Sequence, residues 1–327
     1  MHYAEPYRVK VVQHNKPVPQ HIRVQALRKA QYNVHRLPRS DVYLDLVATK
    51  SAEAMSDQQW AALMVGDEAY AGSRNFYDLE AMARQVLGKK RIVPTHMGRG
   101  AENLILRYLM QAGQTVVTNK NVMTAHHLAE HQGGRMIDAT VPEAAQPGHA
   151  ARYKGNIDLE KLETLLDRQQ NQVAFVLLAA SVMLLGGQVL EFQNIEAASV
   201  MARERGIPVV FDATQAASAA YLQKEWEGLS DKLEHLILRY TAAADIVYMS
   251  ARGDAFCHTG GLIAVDDESA LTALQALVVV FEGLHTYGGQ AGRDMQAFCR
   301  GLIEMTDEGY QCFRRRNLRF AHFQSGS

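Results

Sequence analysis

The strongest constraint on the fold is an alternation of short apolar runs with longer stretches of helical period. The runs are Thr115-Val116-Val117-Thr118, Val173-Ala174-Phe175-Val176-Leu177-Leu178-Ala179, Pro208-Val209-Val210-Phe211, Asp245-Ile246-Val247-Tyr248-Met249 and Leu262-Ile263-Ala264-Val265. They are rich in β-branched residues and short enough to be strands. Between them, segments such as Ile195 to Arg205 space their apolar residues as amphipathic helices do. The alternation predicts an α/β sheet covered by helices on both faces. A chain of 327 residues with 47% apolar composition can bury such a core, and its length suits one large domain plus part of another. No internal repeat or low-complexity tract interrupts the pattern. The stretch Val141 to Gly155, with two prolines and two glycines, reads as a surface excursion.

Charge narrows the range of partners. The formal net charge is -1, so neither nucleic acid nor an anionic membrane is expected to bind. The local run Arg314-Arg315-Arg316 reads as a solvated helix face. Cys257, Cys299 and Cys312 form no CxxC or metal-ligand spacing, and their odd number argues against a disulfide framework, so a reducing cytoplasm is the expected compartment. No apolar signal core or stretch of about 20 apolar residues is present to suggest export or a membrane span.

Several longer strings carry a resemblance. They include Ala54-Met55-Ser56-Asp57-Gln58-Gln59-Trp60, Gly66 to Tyr77 (Gly-Asp-Glu-Ala-Tyr-Ala-Gly-Ser-Arg-Asn-Phe-Tyr), Val93-Pro94-Thr95-His96, Gly98-Arg99-Gly100-Ala101-Glu102-Asn103, Asp212-Ala213-Thr214 and Tyr287 to Met295. In these strings the chain resembles the tryptophanase and tyrosine phenol-lyase family, β-eliminating lyases that use pyridoxal phosphate (PLP) on aromatic amino acids. The resemblance implies the large domain of PLP-transferase fold type I, aspartate aminotransferase-like, with an incomplete small domain. Its expected boundaries are an N-terminal arm and partial small domain over 1–50, the large domain over 51–308, and a truncated connecting helix and tail over 309–327. It also implies a homodimer or homotetramer.

The same resemblance assigns candidate site residues. Gly98 and Arg99, at the start of a helical run, together with Ser250 match the cup that receives the cofactor phosphate, because a helix N-terminus favours an anion. Asp212 matches the carboxylate that keeps the pyridine nitrogen protonated. Tyr70 matches a tyrosine that assists leaving-group protonation. Glu68 matches a ligand of an activating monovalent cation, whose partner asparagine appears as His258. Other positions depart from the pattern: Met97 for glutamine, Val122 for the ring-stacking aromatic, Met183 for asparagine and Gln215 for arginine.

The largest departure is at Arg252-Gly253, where the family reads Lys-Lys and uses the second lysine for the Schiff base and proton transfer. Arginine cannot take over, since its guanidinium does not deprotonate at usable pH. The expectation is therefore no covalently bound cofactor, with noncovalent PLP or phosphate, haem or a transition metal remaining as options. Independently of the resemblance, His126-His127-Leu128-Ala129-Glu130-His131 places His127 and His131 on one helix face and matches the HxxEH pattern, so His127, His131 and His258 are the candidate ligands for a metal or haem iron. A packed or solvated histidine cluster is the other reading. The functional expectation is a diverged lyase relative without PLP-lysine chemistry that binds a small aromatic or amino-acid ligand or acts as a noncatalytic partner. The alternatives are an enzyme using a histidine-bound metal or haem, and a residual lyase with noncovalent cofactor.

Overall fold

A computed structural model describes residues 17–43, 55–119, 123–168 and 172–312. The strands are β1 Arg91–Thr95, β2 Thr115–Thr118, β3 Arg135–Asp138, β4 Val173–Ala179, β5 Ser181–Val182, β6 Gln188–Val189, β7 Val209–Asp212, β8 Ile246–Ser250 and β9 Gly261–Val265. The helices are α1 Gln20–Lys29, α2 Asp57–Val65, α3 Arg74–Leu87, α4 Gly98–Leu109, α5 Met123–His131, α6 Leu159–Arg168, α7 Phe192–Glu204, α8 Ala216–Glu227, α9 Leu233–Ala242, α10 Glu268–Phe281 and α11 Gly292–Glu304. Seven strands form one sheet in the order β1-β9-β8-β7-β4-β2-β3, and β5 and β6 make a small hairpin. Only β9 runs against its neighbours in the large sheet.

The continuous apolar runs follow from burial on both faces. Successive side chains of a strand point to opposite sides. Phe175, Val210, Ile246 and Ile263 therefore pack on one side with Leu104 of α4, Ala129 of α5 and Leu274 of α10. Val176, Phe211, Val247 and Leu262 pack on the other with Leu79 of α3, Ile195 of α7, Ile237 of α9 and Phe298 of α11. A strand exposed on neither face has no polar side to show.

Two strands of the large sheet, β1 and β3, and the hairpin strands β5 and β6 were not among the expected runs. β1 and β3 lie at the edges of the large sheet. β1 contains Pro94, which offers no N–H to a ladder, and an edge strand tolerates that loss because one side has no neighbour. The excursion is also corrected at one end. Residues 145–150 are exposed, but Lys154 and Gly155 are buried, and a Cβ on Gly155 would meet the Gln188 carbonyl at 2.5 Å. Val122, Arg314–Arg316 and the tail after residue 312 lie outside the described residues. Among the described residues, no helix is long and apolar enough to cross a membrane.

The entry to α2 gives a direct stability test. The Ser56 hydroxyl accepts from Gln59 N at 3.0 Å, and the Gln59 side chain accepts from Ser56 N at 3.1 Å, closing a capping box. Ser56 also donates to Glu304 Oε1 on α11 at 2.7 Å. Ser56→Ala should cost about 1–2 kcal/mol in urea denaturation, the upper part of the range for losing a cap. An unchanged midpoint would show that neither bond matters to the native state.

Candidate functional site

Open α/β sheets leave a crevice beyond the carboxyl ends of their strands, and the cofactor residues expected from sequence gather there. Asp212 ends β7, Ser250 ends β8, and Gly98 opens α4 just after β1. The start of α4 is pressed against β8, since a Cβ on Gly98 would lie 2.8 Å from Ser250 Cβ. Among the described residues no side chain caps the first turn of α4, and while Gly100 N donates to the Met97 carbonyl at 3.0 Å, the helix start keeps the dipole that favours an anion. Arg99 is exposed there. The buried carboxylate of Glu282 stands beside the same turn, where a Cβ on Gly100 would come within 2.6 Å of it. It accepts from His96 N at 2.9 Å and pairs with the His96 ring, so part of the helix-end field is already satisfied internally.

Asp212 is 8% exposed. Its Oδ1 accepts from Thr214 N at 2.9 Å, and the Tyr248 hydroxyl lies 3.3 Å from its Oδ2. That hydroxyl lies closer, at 2.7 Å, to Glu102 Oε1 on α4. Burial first, then the two carboxylates, holds the Tyr248 phenol well above its ordinary ionisation range, so it remains a donor. Sequence reading had missed this link. The available signal was Glu102 itself, a carboxylate among Ala101, Leu104 and Ile105 on the apolar face of α4.

The loop after Ser250 is fixed by Thr214. Ser250 N donates to Thr214 Oγ1 at 3.0 Å, and Asp254 N donates to the Thr214 carbonyl at 2.9 Å. The Asp254 carboxylate in turn accepts from Ser218 N at 2.8 Å in the first turn of α8. This docking brings Gly253 so close that a Cβ there would lie 2.0 Å from the Thr214 carbonyl oxygen. Next to Thr214, Gln215 Oε1 is buried and meets no hydrogen-bond partner among the described residues.

The other candidates sit elsewhere. Tyr70 is exposed, and its ring contact is with Tyr287 at 5.6 Å. Glu68 holds Arg293 Nε at 2.8 Å, while His258 Nε2 lies 2.9 Å from Asp294 Oδ1 and its Nδ1 3.3 Å from Met55 Sδ. Both groups are thus engaged in separate pairs. His127 pairs with Glu130 at 3.2 Å on the exposed side of α5. Met183 lies in an exposed 3-10 turn. Among the described residues, no group of three His, Cys, Asp or Glu side chains is placed to hold a metal ion, so the expected histidine centre at His127, His131 and His258 does not assemble.

Architecture and crevice together define the fold of PLP-dependent enzymes. Two solved structures share it: a SepCysS–SepCysE N-terminal domain complex (TM-score 0.58, 15% identity, 88% of this chain and 73% of that one), and a putative aromatic amino acid β-eliminating lyase/threonine aldolase from Exiguobacterium sp. 255-15 (TM-score 0.54, 19% identity, 80% and 65%). Sequence comparison is more specific. The β-eliminating lyase family model matches residues 45–317. Tyrosine phenol-lyase of Symbiobacterium thermophilum is 39% identical over 321 residues, 97% of this chain and 70% of that protein. That of Fusobacterium nucleatum is 40% identical over 318 residues, covering 96% and 69%. This chain belongs to the β-eliminating lyase family.

Membership overturns the expectation about cofactors. The family is PLP-dependent, so the expectation of no covalently bound cofactor, with noncovalent PLP, phosphate, haem or a transition metal as options, gives way to PLP as the cofactor of reference. Gly98, Arg99 and Ser250, expected from sequence at the phosphate, and Asp212, expected at the ring nitrogen, border one crevice at the strand ends, where donors and a carboxylate of these kinds fit those two ends of PLP. Position 253 brings no amine.

Proposed function

We propose that this chain is a diverged β-eliminating lyase relative that binds a small aromatic or amino-acid ligand in the crevice and does not carry out the family's lysine-dependent proton transfer. The observation that carries ligand binding is the buried Gln215 Oε1, unpartnered among the described residues, three residues beyond Asp212 at the start of α8. A buried acceptor without a donor is costly, and a ligand ammonium or hydroxyl would satisfy it. Gly98, Arg99 and Ser250 would hold the phosphate of PLP and Asp212 its nitrogen; bound there, PLP supplies an electron sink. The tight docking of Gly253 on Thr214 supports the loss of the lysine step, because no side chain fits at that position without moving the loop.

Calorimetric titration of L-tyrosine into the PLP-supplemented protein should show saturable binding. Gln215→Leu should weaken it about tenfold or more, the range for losing a hydrogen bond to a charged group. No binding, or equal affinity in the variant, would overturn the assignment.

We also propose a homodimer or homotetramer. Met64, Val65, Tyr70, Tyr77, Val279 and Val280 are all more than half exposed, at 79, 66, 69, 57, 52 and 72%, and association of copies would cover such apolar side chains. Sedimentation at micromolar concentration should give at least twice the chain mass of 36.3 kDa; a monomer would contradict the proposal.

A further inference from the structure

Away from the crevice, a cavity of about 500 Å³ opens between the far end of α4, the end of α5 and α10, lined by Arg107, His131, Gln132, Leu277 and Phe281. Its polar side is formed by the Arg107 guanidinium, the His131 imidazole and the Gln132 amide. The Arg107 guanidinium lies over the Phe281 ring at 4.2 Å, and its Nε donates to Asn103 Oδ1 at 3.1 Å, so its planar fork is held in one orientation. Gln132 Nε2 is buried and has no acceptor among the described residues. Leu277 and Phe281, four residues apart on α10, form the apolar side. Among the described residues, no carboxylate lines the cavity.

We propose that this cavity is a binding site for an aromatic monocarboxylate, distinct from the crevice at the start of α4. The carboxylate meets Arg107 and the Gln132 amide, and the ring lies against Leu277 and Phe281. Arg107 and His131 each occupy the last turn of a helix, where basic side chains are favoured by the macrodipole. That placement accounts for the two basic residues. It does not account for a buried amide donor lacking an acceptor beside an apolar wall, which an anionic aromatic ligand satisfies at both ends. His131, singled out in the sequence as a metal ligand, becomes part of an anion-binding wall.

Phenylacetate is the probe, titrated by calorimetry into the full chain, with benzylamine and acetate as controls of charge and ring. Phenylacetate should bind saturably, and both controls should bind at least about tenfold more weakly. Arg107→Met should weaken phenylacetate by a similar factor, Arg107→Lys by less, and Gln132→Leu measurably. Thermal melts of the three variants establish that each is folded, and Gln132→Leu decides the matter if either arginine variant is not. Gln215→Leu should leave phenylacetate affinity unchanged while weakening L-tyrosine, which separates this site from the crevice. Absence of phenylacetate binding, equal binding of benzylamine, or loss of phenylacetate binding in Gln215→Leu alone would overturn the proposal.

Discussion

Replacing Gly253 by lysine will lower the stability of this protein by about 3 kcal/mol, the upper end of the usual cost of overpacking, instead of restoring a family-like site. The obstacle is the first side-chain atom. A Cβ at position 253 would lie 2.0 Å from the Thr214 carbonyl oxygen and 2.5 Å from Thr214 Cγ2. Thr214 cannot retreat cheaply, because its amide, hydroxyl and carbonyl hold Asp212, Ser250 and Asp254 respectively. Each such bond contributes roughly 0.5–1.5 kcal/mol. Gly253→Ala should therefore lose nearly as much as Gly253→Lys in urea denaturation. If both variants unfold at the wild-type midpoint, the loop adapts freely and position 253 imposes no constraint.

Tyr248→Phe should cost about 1.5–3 kcal/mol near neutral pH, the range for a hydrogen bond to a charged group. The hydroxyl is fully buried between β8 and α4 and donates toward Glu102, with Asp212 also in reach. The cost should shrink in acid, where protonated carboxyls depend less on the donor. At the alkaline end the sign reverses for the wild type. The folded phenol is held well above its ordinary range, so the native state keeps a proton that the unfolded chain releases near pH 10, and stability falls as pH rises beyond that point. Removing the hydroxyl should flatten that limb by up to about 1.4 kcal/mol per pH unit, while Tyr240, raised by burial in the same direction, keeps its own share. A pH-stability profile of the two proteins checks both limbs; parallel curves would mean that the hydroxyl bonds to neither carboxylate.

The sheet interior was legible because burial on both faces erases polar residues from a strand, leaving runs such as Val173 to Ala179 that only a covered strand explains. The edge strands were not, since β1 carries Arg91 and Pro94 and β3 carries Arg135 and Asp138, and each answers to one neighbour. Asp212, Ser250 and Gly98 were legible through shared strings, and the fold brings them to one crevice. Tyr248 and Thr214 were not, because their roles depend on contacts across the sheet and the loop: the register that sets Asp212 beside Tyr248 and the docking that sets Gly253 on Thr214 leave no mark in local sequence. The histidine pattern misled for the converse reason. A spacing of four residues puts His127 and His131 on one side of a helix, but among the described residues no third ligand joins them.

The central claim is that this member of the β-eliminating lyase family binds its ligand without the lysine-dependent step. The most direct test is phenol release from L-tyrosine by the purified protein supplied with PLP, measured against PLP alone. Release no faster than with PLP alone, with L-tyrosine binding persisting, is the expected result; sustained release that scales with protein concentration would contradict the claim by showing that the lysine-dependent step has been replaced.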